Sequence, residues 1–133
     1  MKKNAVLLNA GITAVIAEMG HTETLTLGDC GLPIRGSAKR LDLALKAGVP
    51  GFIETLQTVL AELQVERAIL AEEIKSVSPQ MERQILDCLG DSIPVEYVPH
   101  ETFKRMSEDS KAVVRTGEQT SYANIILVSG VPF

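Results

Sequence analysis

The apolar positions along the chain change period several times, and each change predicts an element. A short apolar run from Val6 to Leu8 predicts a first strand. Ile12, Val15, Ile16 and Met19 then recur at three- and four-residue spacing, the stripe of a helix packed on a core, with Asn9 placed to cap its start and Gly20 to end it. In ETLTLGD, Leu25 and Leu27 alternate with polar neighbours, which predicts a strand running into a turn between Gly28 and Pro33. Leu41, Leu43 and Leu45 repeat the strand period. Beyond Pro50, Phe52, Leu56, Val59, Leu60 and Leu63 return to helical spacing.

The compact run RAILAEEI suits a buried strand, although its length also allows a short helix. Ser78 and Pro79 supply a cap and a first-turn proline for a helix carrying Met81, Ile85 and Leu89, which Gly90 stops. IPVEYVP reads as a strand near a sheet edge, because Pro94 has no N–H to give a ladder. A helix starting around His100 carries Phe103 and Met106 inward, and YANIILVSGV, dense in β-branched residues, predicts a central strand. Alternating strands and helices predict the α/β class: a three-layer α/β/α single domain over residues 1–133, with a mostly parallel or mixed central sheet. No repeat, linker or low-complexity stretch interrupts it.

Composition narrows the partners. A formal net charge of -4, with two tyrosines and three phenylalanines, offers neither a basic stripe for phosphates nor many stacking platforms, so nucleic acid is disfavoured. Cys30 and Cys88 lie far apart with no C-x-x-C partner, so they signal neither zinc nor a redox dithiol; packing accounts for both. The start MKKNAVLLNAGITAVIA imitates a secretory signal, but Asn9, Gly11 and Thr13 break the apolar run. No stretch approaches the ~20 apolar residues of a membrane span. A cytoplasmic location is expected.

Candidate chemistry centres on two histidines, both at element boundaries. His21 follows a helix stop, and with Asp29 it brackets the strand between them. Loops at strand ends are where open α/β sheets gather their active residues, although a boundary histidine is more often a cap or a solvated side chain. His21, Asp29, His100 and Glu101 lack the spacing that fixes two metal ligands on one helix face, and GDCGLPIRG is no dinucleotide fingerprint. RTGE, from Arg115 to Glu118, reads as a salt-bridged turn. In strand geometry Tyr122 and Asn124 point to one side with Ala123 opposite, a phenol and an amide suited to hydroxyls, though such a pair also suits an edge strand.

Taken in order, GHTETLTLGDCGLPI, RLDLAL, GVPGF, LAEEI, VPHETFK, RTGE and YANIIL resemble the D-ribose pyranase family, the ribose mutarotases, over nearly the full chain. The resemblance implies a cytoplasmic, cofactor-free isomerase that interconverts the pyranose and furanose forms of D-ribose and supplies furanose to ribokinase. It also implies ring-shaped homo-oligomers, decamers, with sugar sites near subunit contacts. By position, His21 corresponds to the family's proton donor. Asp29, His100, Lys104, Tyr122, Ala123 and Asn124 correspond to its sugar-binding residues. Cys30 stands where the family commonly has alanine and Arg35 where proline is common, which bears on the geometry around Asp29. Fucose mutarotases share part of the pattern, so another monosaccharide is an alternative substrate. A sugar-binding accessory or regulatory module without turnover is the alternative from another class.

Overall fold

Five pairings join six strands into one sheet. In the computed structural model, which describes residues 1–133, the elements in chain order are α1 (Ala10–Glu18), β1 (Thr24–Gly28), β2 (Lys39–Asp42), α2 (Phe52–Leu60), β3 (Val65–Ala71), α3 (Ile74–Val77), α4 (Pro79–Leu89), β4 (Val95–Val98), α5 (His100–Ser107), β5 (Ala112–Arg115) and β6 (Ile125–Ser129). The strand order is β2-β5-β1-β6-β3-β4. β1 and β2 run parallel to β5, and β3 runs parallel to β4; β6 pairs antiparallel with both β1 and β3. The sheet is therefore mixed, within the expected α/β class, and its edges are β2 and β4.

Alternation along the strands divides the interior in two. Leu25, Leu27, Ala68, Leu70, Ala112, Val114, Ile125 and Leu127 face the larger core, where Ile12 and Val15 of α1, Phe52, Leu56 and Val59 of α2, and Met81, Ile85 and Leu89 of α4 cover them. Ile69, Val113, Ile126 and Val128 face the opposite side and meet Leu32 and Phe103, the latter from α5. Helices on both faces complete the three layers. Every residue of β6 is buried, as its β-branched composition predicts for a central strand.

The element boundaries depart from the sequence reading at five places. Residues 6–8 form no strand: Leu7 is buried, but Val6 and Leu8 are 69% and 73% exposed. Leu7 and Leu8 share a cleft with Thr55, Thr58 and Val59 of α2, so the segment lies in the helical layer, away from a strand it could pair with. The strand expected across Leu41 to Leu45 ends at Asp42, whose carboxylate accepts the Ala44 N–H at 3.0 Å and turns the chain out of the ladder. Ser78 precedes α4 but does not cap it; its hydroxyl donates to the Ser121 carbonyl at 2.7 Å. α3 and β5 were not anticipated. Four residues are too few for either element to display a period, and the apolar part of β5 is only Ala112 to Val114, between Lys111 and Arg115.

Candidate active site

β1 delivers Asp29 at its C-terminal end. There Asp29 and Asn124 form a reciprocal clamp: the Asp29 N–H donates to Asn124 Oδ1 at 2.9 Å, and Asn124 Nδ2 donates to Asp29 Oδ2 at 2.9 Å. The other carboxylate oxygen accepts the Gly31 N–H at 2.9 Å. Both oxygens are thus fixed, with lone pairs left over for a ligand. Gly28 permits this closeness, because a Cβ there would stand 2.6 Å from Leu32 Cδ2 and 3.1 Å from Asn124 Oδ1. Asn124 itself is 1% exposed, which makes its two bonds obligatory.

The turn before β6 carries the rest. β6 begins only at Ile125, so strand alternation does not reach Tyr122, and the expectation that Tyr122 and Asn124 share one strand face is corrected on that ground. Tyr122 is left-handed instead, at φ 63°, a conformation costly for a bulky side chain. It is held by the Asn124 N–H on the Tyr122 carbonyl at 2.8 Å, and beside it Ser78 ties down Ser121. Ala123 contributes its methyl to the larger core, which leaves only its backbone to a ligand.

From the opposite side comes α5, with His100 as its first residue. The Tyr122 ring stands edge-on to the His100 imidazole, centroids 5.0 Å apart. Lys104 lies one turn further along the same helical face, its ammonium 2.7 Å from Glu101. Asp29, Asn124, Tyr122 and His100 therefore form one continuous cluster at the C-terminal ends of β1 and β4, linked by hydrogen bonds at one side and ring contact at the other.

His21 is not among them. It lies between α1 and β1, its side chain 53% exposed and its Nε2 2.7 Å from Glu66 Oε2, near the start of β3. Five residues of β1, at about 3.3 Å each, place roughly 15 Å between His21 and Asp29. The two do bracket the strand, but at opposite ends of it. Thr22, left-handed at φ 70°, hydrogen-bonds through its N–H to the Ser129 carbonyl at 2.9 Å and fixes the segment that presents the imidazole.

Several supporting carboxylates gave no signal in the sequence. Glu66 pairs with His21 across 45 positions, and Glu73 accepts the His100 N–H. In RTGE, Arg115 pairs with Asp42 at 2.8 Å, while Glu118 takes the Phe52 N–H at 3.0 Å and the Thr120 hydroxyl at 2.9 Å. Partial burial pushes the Glu118 carboxyl up, but these donors outweigh it and hold the group below the usual carboxylate range. Gly117 is equally constrained: a Cβ there would lie 2.4 Å from the Val49 carbonyl oxygen. The Cys30 N–H donates to the Glu118 carbonyl at 2.8 Å, so the turn holding Asp29 is braced by the same loop.

No three His, Cys, Asp or Glu side chains converge as metal ligands would. Of the clefts of a single chain, one of about 240 Å³ passes Cys30, next to Asp29, between Leu45 and Arg115. Another of about 250 Å³ separates residues 7–9 from α2, and a polar one of about 530 Å³ lies between Thr22 and Lys111. None is lined by Asp29, His100, Tyr122 or Asn124.

Comparison with known proteins gives this geometry a family. A D-ribose pyranase of Actinobacillus succinogenes is 54% identical over 138 residues, covering 98% of this chain and 99% of its own. Bacillus subtilis RbsD, solved in complex with D-ribose, superimposes with a TM-score of 0.96 at 39% identity, over 100% of both chains. The fucose mutarotase of Streptococcus pneumoniae, solved with L-fucose, shares the fold at a TM-score of 0.79 and 24% identity, again over 100% of both chains. The RbsD / FucU transport protein family matches residues 1–132, and the chain belongs to that family.

Proposed function

We propose that this chain is a D-ribose pyranase: it opens the ribopyranose ring and recloses it as furanose, with residues 1–133 acting as one domain. The observation that carries the reading is 54% identity to a D-ribose pyranase over 98% of this chain and 99% of that relative. The lower identity to the fucose mutarotase, 24% against 39% to the ribose-bound relative, favours ribose over fucose.

The chemistry is proton transfer at oxygen. The anomeric hydroxyl loses a proton, the ring oxygen gains one, and the bond between C1 and the ring oxygen breaks to give the open aldehyde. The chain rotates, the C4 hydroxyl attacks C1, its proton leaves, and the carbonyl oxygen is protonated. Imidazole ordinarily titrates near neutral pH and suits either direction of transfer; a positioned acid or base contributes about 10²–10⁴ in rate. In this mechanism His21 protonates the ring oxygen and His100 is a second candidate acid or base. Asp29, Tyr122, Asn124, Lys104 and the Ala123 backbone bind hydroxyls. Asp29 cannot orient the His21 of its own chain, which lies at the other end of β1; its free lone pairs serve a sugar hydroxyl or the His21 of a neighbouring copy.

One chain cannot perform this alone if His21 stays at its own end of β1. The mechanism requires a second copy, whose His21 reaches the Asp29–His100 cluster of its neighbour. The exposed His21 and the lack of a cleft lined by Asp29, His100, Tyr122 or Asn124 within one chain support this arrangement. A ring-shaped homo-oligomer, a decamer in the cytoplasm, is the assembly proposed. No helix is long and apolar enough to cross a membrane. Saturation-transfer NMR on D-ribose is the test. Catalytic protein accelerates pyranose–furanose exchange; ribose binding without faster exchange would leave a sugar-binding module in its place.

A further inference from the structure

α5 has no cap of its own. Its N-cap position is Pro99, which offers no side-chain acceptor, yet the first turn of a helix presents N–H groups with no intrahelical partner. The first of them, that of His100, is taken by the Glu73 carboxylate, whose two oxygens lie 3.1 and 3.0 Å away across 27 positions of sequence. Glu73 follows β3 by two residues, and the adjoining Glu72 N–H donates to the Val98 carbonyl at 2.8 Å. The end of β3 thus grips the junction between β4 and α5. A carboxylate at this point also complements the positive end of the helix dipole.

The imidazole itself has no such grip. His100 Nδ1 is enclosed and has no hydrogen-bond partner. The ring is placed by Tyr122 edge-on at 5.0 Å and by Phe103 nearly parallel at 6.2 Å. With Nδ1 shut away, Nε2 is the nitrogen left to meet a ligand. Where that nitrogen lies follows from where the His100 backbone is held, and the side-chain bond holding it comes from Glu73.

We propose that Glu73 is a positioning residue: by accepting the His100 N–H it sets the start of α5 and aims the imidazole against Tyr122. Its consequence for turnover rests on the pyranase reading and on the place of His100 in it. The ring geometry does not.

The chain has only two histidines, so selective ¹³C-histidine labelling gives two sets of ring signals, and His21→Ala assigns them. His21, held by Glu66 of its own chain and outside α5, reports on the rest of the fold. In Glu73→Ala the His100 ring signals move more than those of His21, and ribose exchange at saturating sugar falls about tenfold or more, as expected of a misplaced catalytic group. Glu73→Gln, whose amide oxygen still accepts the N–H, keeps the His100 signals and most of the turnover. Should the alanine variant fail to fold, Glu73→Asp, which keeps the charge but retracts the acceptor, shows the same movement of the His100 signals. Unmoved His100 signals in both the alanine and aspartate variants would overturn the proposal, as would a glutamine variant as impaired as alanine. If His100→Ala exchanges ribose at the wild-type rate, the assignment of His100 to the reaction fails instead, and the ring signals alone decide the role of Glu73.

Discussion

Asn124→Asp tests the clamp at the centre of the cluster with almost no change of shape. The replaced amide is 1% exposed, and both its atoms are committed to Asp29. The new carboxylate still accepts the Asp29 N–H, but where Asn124 Nδ2 donated across 2.9 Å it puts a second negative oxygen against the first. Losing a charge-assisted bond costs about 1.5–3 kcal/mol. Two charges near 3 Å at an effective dielectric of about 20 would add roughly 5 kcal/mol, so the pair binds one proton instead. Holding that proton is a cost set by pH. With an unfolded aspartate near pKa ~3.9, it is about 5 kcal/mol at pH 7.5 and about 2 kcal/mol at pH 5.5, a slope of about 1.4 kcal/mol per pH unit. The sign follows from proton counting: over this window the folded variant binds one proton more than its unfolded chain, so its stability relative to wild type falls as pH rises. Urea denaturation of both proteins at fixed concentration, from pH 5.5 to 7.5, reads the difference directly. A deficit under about 0.5 kcal/mol at pH 7.5, or one that does not change with pH, would refute the clamp as described.

Other predictions follow from the same geometry. His21→Ala lowers ribose exchange by about 10²–10⁴ with little change in ribose affinity. Mixing it with Asn124→Ala after subunit exchange restores part of the activity, because some interfaces then join an intact His21 to an intact cluster; no recovery in demonstrably mixed assemblies would count against the shared site. Phe103→Ala, which empties the centre of the smaller core, destabilises by about 3–5 kcal/mol in urea denaturation. The depressed Glu118 carboxyl contributes stability that is present above the ordinary carboxylate range and lost as pH falls through its lower folded value. Glu118→Gln therefore flattens the acid limb of the stability profile below about pH 4.5, and an unchanged limb in acid titration would contradict that.

The helices of this chain were legible because their stripes are long enough to show a period: Ile12 with Val15, Phe52 through Val59, and Met81 with Ile85 and Leu89 all face the larger core as their spacing demands. Asn9 caps α1 through the Ile12 N–H at 2.9 Å, a bond its position alone predicts. The failures share a cause. Ser78 has the right neighbours for a cap but serves a turn 43 positions away, and Asp42 ends a strand whose leucine period runs on without it. Side-chain hydrogen bonds overrode the expected pattern in both, one reaching 43 positions and the other only two. The candidate residues were recognisable as an ordered set, and most do gather. That His21 faces away from the others within one chain has no trace in spacing, since boundary position says nothing about which end of a sheet a boundary occupies. Glu66 and Glu73 were invisible for the same reason, being partners made by topology.

The lone reversed strand β6 also decides where the chemistry can be. Asp29 comes after β1 and His100 after β4, whereas Tyr122 and Asn124 come before β6. Reversal puts a residue ahead of β6 on the same rim as residues that trail its neighbours; had β6 run with them, the tyrosine and amide would stand at the rim where His21 is now. Direction of travel, written in no single side chain, works here as an address.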